Sequence, residues 1–161
     1  MIDLSIYSDL RRKDRAMSLS EAKTFLEEQM VGRLALTVND RPYIVPLNYL
    51  YLDGKICFHS ARYGQKISFL RQNHNVCFEV DRVFGFTKGG EDCSYAPLYK
   101  SVIAYGKATI VKEETERLKI LSKLVQKYYD SKPDSFTAEM LEKTLVIAIE
   151  ITKMTGKQRL Q

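Results

Sequence analysis

The sequence lacks most of the features by which large protein classes declare themselves. No apolar run approaches the ~20 residues that cross a bilayer, and the opening MIDLSIYSDLRRKDR carries acidic residues and no signal-peptide apolar core. A cytoplasmic protein with no membrane partner is expected. Three cysteines, Cys57, Cys77 and Cys93, cannot all pair within one chain, and none forms a CxxC unit, so the usual zinc and redox signatures are missing. Cys57 and Cys77 sit in strand-like apolar runs and read as small core residues; Cys93 falls in a loop and takes no role. The two histidines, His59 and His74, have no metal-ligand spacing with each other, and no metal is expected. GxSxG, HExxH, GxxxxGK[ST] and GxGxxG are all absent. The acidic pairs Glu27-Glu28 and Glu113-Glu114 fall on helix surfaces, which leaves a hydrolase without its parts.

What remains is a chain of 161 residues, 45% hydrophobic and 28% charged. That suits one globular domain over 1–161 with a single core. No internal repeat, low-complexity tract or Pro/Gly/Ser linker divides it. The net charge of +5 is spread thinly. Only Arg11, Arg12, Lys13 and Arg15 cluster, and Asp14 interrupts them, so the charge suits a small anionic ligand better than nucleic acid.

Periodicity supplies the elements. Ser18 and Glu21 have capping-box spacing, so a helix is expected from about Ser20 to Met30, with Ala22, Phe25, Leu26 and Met30 inward and Gly32 as its stop. GRLALTV alternates as a strand. Asn39-Asp40 turns it into PYIVPLNYLYL, where Tyr43, Val45, Leu47, Tyr49 and Tyr51 share a face. Asp53-Gly54 is a strong hairpin signal, and KICFHS returns from it. Pro46 cannot donate to a ladder, so this strand lies at an edge or offers backbone to something other than a strand. A short helix follows over Gln65–Gln72, with Ile67 and Leu70 inward and Asn73 as its stop. NVCFEVD is a fourth strand, residues 82–97 a glycine-containing loop, and LYKSVIAYGKATIV a fifth strand bent at Gly106. Glu113–Tyr129 reads as an amphipathic helix with Leu118, Leu121, Leu124, Val125 and Tyr128 inward. SKPDSFTAEM reads as a turn and a helical turn, and TLVIAIEIT as a last strand ahead of a tail, MTGKQRLQ. Six antiparallel strands with peripheral helices suggest a mainly β fold, a small closed barrel.

One stretch carries candidate chemistry. In FHSARYGQK, residues 58–66, a strand gives way to a helix among His59, Ser60, Arg62, Gly64 and Lys66. This is either a solvated connection or a cradle for a phosphate. A helix start presents unpaired N–H groups and partial positive charge. Ser60 would add a hydroxyl, Arg62 and Lys66 full charge, and Gly64 close backbone approach.

In their order, VGRLAL, PYIVPLNYLY, DGKICFHSA, GQKISFLRQN, NVCFEVD and YKSVIAYGKA resemble the pyridoxamine 5′-phosphate oxidase-like FMN-binding split barrels. The likeness is nearest to their Nim-type branch, linked to 5-nitroimidazole antibiotic resistance. It runs from about Arg11 to Lys157, with the late TGK also fitting. The resemblance implies a six-stranded antiparallel split β-barrel, and a homodimer holding two FMN molecules in clefts between subunits. On the matching positions, Val45, Pro46, Leu47 and Asn48 would lie along the isoalloxazine. His59 and Ser60 would reach the ribityl chain and phosphate, and Gln65 and Lys66 would grip the phosphate. Lys100, Ser101 and Val102 would come from the second subunit. It also implies a catalytic role for His59, stabilising charge on reduced flavin or supplying a proton to an acceptor, although a lone histidine can equally be structural.

The implied activity is an FMN-dependent, nitroreductase-like oxidoreductase taking electrons from NADH or NADPH to a small acceptor such as a nitroimidazole. Two departures argue against a true pyridoxamine phosphate oxidase. Gln65 stands where those enzymes usually carry arginine, and MTGKQRLQ lacks their C-terminal arginine motif. Two alternatives stay open: a flavin or haem binder without turnover of its own, and a nucleic-acid- or partner-binding barrel using the cluster at residues 11–15.

Overall fold

The computed structural model describes residues 10–87, 95–129 and 136–160. Cys93 and the glycines at 89 and 90 lie outside them. After a short 3-10 turn at Lys13–Arg15, the capping box forms as expected. The Ser18 hydroxyl accepts from the Glu21 N–H at 3.2 Å, and the Glu21 carboxylate accepts from the Ser18 N–H at 2.8 Å, which meets two of the orphan donors of a helix start. Helix α1 spans Leu19–Glu28 and buries Ala22, Phe25 and Leu26. It stops earlier than expected, at an extended Gln29, and Met30 is exposed. Gly32 is therefore not its terminator but a strand residue, whose role is room: a Cβ there would lie 2.1 Å from Phe78 Cζ.

The strands are β1 (Val31–Val38), β2 (Arg41–Asn48), β3 (Leu50–Leu52), β4 (Lys55–Ala61), β5 (Asn75–Phe86), β6 (Pro97–Ile110) and β7 (Thr144–Arg159). The remaining helices are α2 (Gln65–Gln72), α3 (Glu114–Tyr129) and α4 (Ala138–Lys143), the last capped by the Thr137 hydroxyl. Both short turns adopt the positive-φ geometry that suits right-twisted hairpins: Asn39 and Asp40 at 49° and 59°, Asp53 and Gly54 at 51° and 80°.

All seven strands are antiparallel in one sheet of order β2-β1-β5-β6-β7-β4-β3. The two end strands, β2 and β3, are consecutive in the chain with Tyr49 alone between them. A covalent link thus joins the sheet's two edges where a ladder would join them in a fully closed barrel. Seven strands replace the expected six because PYIVPLNYLYL divides at Tyr49. The face shared by Tyr43, Val45, Leu47, Tyr49 and Tyr51 survives that division: Tyr49 is fully buried and the others pack on the barrel core.

Two other expectations give way. Residues 82–86 are strand, not loop, because β6 is long enough to hold them in register through a bulge between Val83 and Gly85. The tail from Met154 to Arg159 is also strand, paired with Tyr99–Ala104 of β6. At Gly106 the register shifts as expected, and a Cβ there would meet the Glu150 carbonyl oxygen at 2.3 Å.

The barrel interior is filled by Leu34, Phe58, Phe78, Val80, Val102, Ile147, Ile149 and their neighbours. A second cluster outside it packs Cys57, Val146 and Ala148 beneath Ile120, Leu121 and Leu124 of α3. The Leu145–Ile149 stretch of β7 is therefore buried on both faces, which is why that stretch is a continuous apolar run rather than an alternation. Burial pushes the Cys57 thiol up to about 12, fitting a packing residue. Cys77 is only partly buried. Among the described residues no helix is long and apolar enough to cross a membrane.

Candidate functional site

The site begins where one strand changes neighbours. β3 pairs with β4 through Leu52↔Lys55, Tyr51↔Ile56 and Leu50↔Cys57. Extended in the same register, that ladder would oppose Tyr49 to Phe58, Asn48 to His59, Leu47 to Ser60 and Pro46 to Ala61. Instead the chain swings away after Tyr49. Val45, Pro46, Leu47 and Asn48 pair with Leu34, Arg33, Gly32 and Val31 of β1. Phe58–Ala61 keeps β7 alone as its neighbour. Two strand edges with unspent backbone donors and acceptors thus form the lips of a split. Val45–Asn48 make one lip and His59–Ser60 the other. Val45 and Leu47 turn their side chains into the barrel core, while Pro46 and Asn48 are exposed.

Beyond the β4 lip, the chain turns into α2. Gly64 occupies the N-cap at φ 110°, which glycine alone adopts without strain, and no side chain caps the helix. The Ser68 N–H and hydroxyl both donate to the Gly64 carbonyl, at 3.0 and 3.2 Å. Ser60 is buried, at 9% exposure. Lys66 is partly buried with its Nζ 5.5 Å from the Phe58 ring centroid, and burial pulls its pKa down. None of the ion pairs among the described residues involves it. Gln65 opens the helix, exposed. A desolvated cation without a carboxylate, beside an uncapped helix start, suits a phosphate. Arg62 does not join it: its guanidinium donates to the Glu142 carbonyl at 2.8 Å and ties α4 to the connection.

On the other side of the split lies a cavity of about 260 Å³, lined by Asn48 and His59 from the two lips, by residues of α3 and α4, among them Leu124, Tyr128 and Met140, and by Phe136 ahead of α4. Burial, and then the Lys66 charge, lower the His59 pKa from its ordinary 6.5, so the imidazole is neutral at pH 7. Among the described residues no lysine or arginine lines this cavity. Its α3 wall read in the sequence only as an amphipathic stripe, and its α4 wall only as a turn and a helical turn.

Lys100, Ser101 and Val102 stand apart. Ser101 pairs with Lys157 of β7, whereas His59 pairs with Val146 of the same strand. Eleven residues separate these points, roughly 35 Å of extended chain. Val102 is buried in the core, and Lys100 and Ser101 are partly exposed. Within one protomer these three lie far along β7 from the His59 lip and three strands across the sheet from the Val45–Asn48 lip. Among the described residues no group of three or more His, Cys, Asp or Glu could hold a metal.

A family model described as pyridoxamine 5′-phosphate oxidase matches residues 18–158. Among solved structures, a candidate 5-nitroimidazole antibiotic resistance protein from Bacteroides thetaiotaomicron is similar at 23% identity over 88% of this chain and 85% of that one, with a TM-score of 0.77. A flavocytochrome from Azotobacter vinelandii aligns at 18% identity over 95% and 73%, TM-score 0.82. An FAD-binding protein from Mesorhizobium loti aligns at 26% over 90% and 97%, TM-score 0.65. A curated relative, an uncharacterized protein of Rhizobium meliloti, is 34% identical over 67 residues; the match spans 41% of this chain and 43% of that protein's length, less than half of each.

Proposed function

The chain belongs to the pyridoxamine 5′-phosphate oxidase family, and from that premise we propose that it is an FMN-dependent oxidoreductase carrying electrons from NADH or NADPH to a small, uncharged acceptor of the nitroaromatic kind. The observation that carries this reading is the split, which places an unpaired β2 edge opposite His59 and Ser60. The residues present fit the cofactor. Lys66, the α2 N-terminus and the Ser60 hydroxyl would hold the phosphate through charge, dipole and hydrogen bond, with Gln65 beside them. The backbone of Val45–Asn48 would lie along the ring system. Pockets that enclose an entire ligand typically run from about 300 Å³ upward. The 260 Å³ cavity therefore admits one small ring compound and leaves a nucleotide outside it, in the split.

FMN would supply the hydride and electron transfer; the protein's part is placement, exclusion of water and proton management. His59, on the cavity wall, would deliver a proton from an imidazole nitrogen to the acceptor. Its pKa lies below the ordinary histidine value, so the protonated form that can do this gains population as pH falls. The described lining, without lysine or arginine, disfavours a phosphorylated substrate, in line with Gln65 and the tail sequence. Two such chains, each lending Lys100–Val102 to the other's split, would complete the pair of sites.

The test is the absorbance spectrum of the purified protein, followed by NADH or NADPH oxidation with a nitroimidazole. Flavin bands and nitroimidazole-dependent turnover are expected, with His59→Ala slowing turnover while FMN stays bound. Protein refolded with excess FMN that is colourless after desalting defeats the proposal. A Soret band in place of flavin bands makes it a haem binder, and flavin without nicotinamide oxidation a binder without turnover.

A further inference from the structure

The α4 side of the cavity poses a separate question: what holds that helix in place. It has six residues and buries none of them, and a helix this short is marginal on its own. Leu141 and the preceding Phe136 pack against the outer core, both only partly buried. Met140 lines the cavity yet is 52% exposed, so α4 is a thin partition between that space and solvent. The Thr137 hydroxyl caps its N-terminal end. Two guanidiniums serve the other end. Arg117 of α3 donates to the Leu141 and Thr144 carbonyls at 2.5 and 3.0 Å, and Arg62 to the Glu142 carbonyl at 2.8 Å. Cations on the last carbonyls of a helix satisfy orphan acceptors and complement its dipole.

We infer that Arg62 is a positioning and specificity-determining residue, a latch that fixes the α4 wall of the acceptor cavity to the phosphate corner. Its place in the sheet carries the inference. The β4–β7 ladder ends at Ala61↔Thr144. Past that pair the chains part: β4 runs on into the turn before α2, and β7 is entered from α4. Arg62 is the first residue beyond the ladder, and its side chain bridges the gap the ladder leaves. It is anchored on its own side as well, since Arg71 of α2 donates to the Arg62 carbonyl at 3.3 Å. A path of contacts therefore runs from the helix that would hold the phosphate, through Arg62, to the wall that would face the acceptor. Arg117 makes no such link; it pins α4 to α3 and to the start of β7. Met140, Leu141 and Thr144 line the cavity with His59 and surround Glu142 in the chain, so slack at the Glu142 carbonyl is slack in the wall.

The consequence for the acceptor rests on the flavoprotein reading; the mechanical one does not. Arg62 is exposed, so Arg62→Met removes the donors and keeps the stem without disturbing the core. Amide hydrogen exchange over residues 137–143, measured without ligand, tests the latch; exchange several-fold faster there, and unchanged over 101–110, is expected. In the flavin-loaded protein KM for a nitroimidazole should rise about fivefold. Over the same change, kcat and the FMN dissociation constant, read by fluorescence quenching, should stay within twofold. Arg62→Lys, which can donate to the same carbonyl, should recover most of both effects. Unchanged exchange over 137–143 overturns the latch, as does a lysine variant that recovers neither effect. A tenfold loss of FMN affinity in Arg62→Met returns the guanidinium to the phosphate and overturns it too. Faster exchange with an unmoved KM overturns the role in acceptor selection. If the wild type binds no FMN, the flavoprotein reading falls while the exchange comparison still decides the latch.

Discussion

β6 and β7 pair at twelve positions, from Tyr99↔Arg159 to Ile110↔Ile147; β2 and β4, no less strand-like in composition, pair with each other at none. The first region spends its backbone on itself and is interrupted only by one bulge at Gly106. The second leaves a row of donors and acceptors unspent and lines it with a histidine, an asparagine and a buried serine. Strand propensity does not distinguish the two. A third element does: β7 lies between β6 and β4 and seals both, while no described strand stands between β2 and β4. In this sheet, recognition is available only where pairing is prevented.

The difference can be broken from either side. The largest effect is expected in the sealed ribbon, from Gly106→Ala. Its new methyl would sit against the Glu150 carbonyl oxygen, a backbone atom that cannot step aside. A loss near the top of the overpacking range, about 3 kcal/mol, should appear in urea unfolding; unchanged stability would show that the bulge is slack. Next comes Lys66→Ala at the open region, which should weaken FMN binding by about 2 kcal/mol, the worth of a charge-assisted hydrogen bond, while unfolding free energy stays level or rises slightly as a desolvated charge is removed. A large stability loss there would make Lys66 structural.

A subtler effect concerns pH. The folded pKa of His59 is depressed by burial and by Lys66, so the unfolded chain takes up its proton first. Stability held above pH 6.5 is then lost on acidification through the folded pKa. His59→Gln should flatten that acid slope in unfolding curves, and an identical slope in the variant would remove His59 from the account. The smallest effect is expected at Asp40→Gly, in the β1–β2 turn at the end of β2 away from the split. Asp40 has φ 59°, and relief of the left-handed conformation should stabilise by about 0.5 kcal/mol without moving FMN affinity.

The corner was legible in the sequence because its determinants are local. Gly64, the apolar pair Ile67 and Leu70, and Asn73 delimit α2 to the residue, and both turns follow from Asn39-Asp40 and Asp53-Gly54. What escaped was decided by distant partners. Alternation runs unbroken from Tyr43 to Tyr51, so nothing local marks Tyr49 as the place where the strand changes neighbours; backbone conformation continues and only the partner differs. Tyr128, whose hydroxyl accepts the Tyr49 N–H, lies 79 residues away from it and reads as one more position of a helical stripe. The tail looked like a coil because its residues alternate weakly, yet β6 offered it an edge. Pro46 pointed to a strand with uncommitted backbone, and it does sit in an end strand, but the fork itself lies three residues on.

The placement of β7 also bears on how the chain comes to fold. It leaves the ribosome after the other six described strands, yet in the sheet it stands between β6 and β4. Until Thr144–Arg159 has emerged, the four-strand piece β2-β1-β5-β6 and the hairpin β3-β4 are bridged only through Tyr49. The sheet can therefore be joined only once β7 is made, by contacts far apart in the chain, the kind that form slowly.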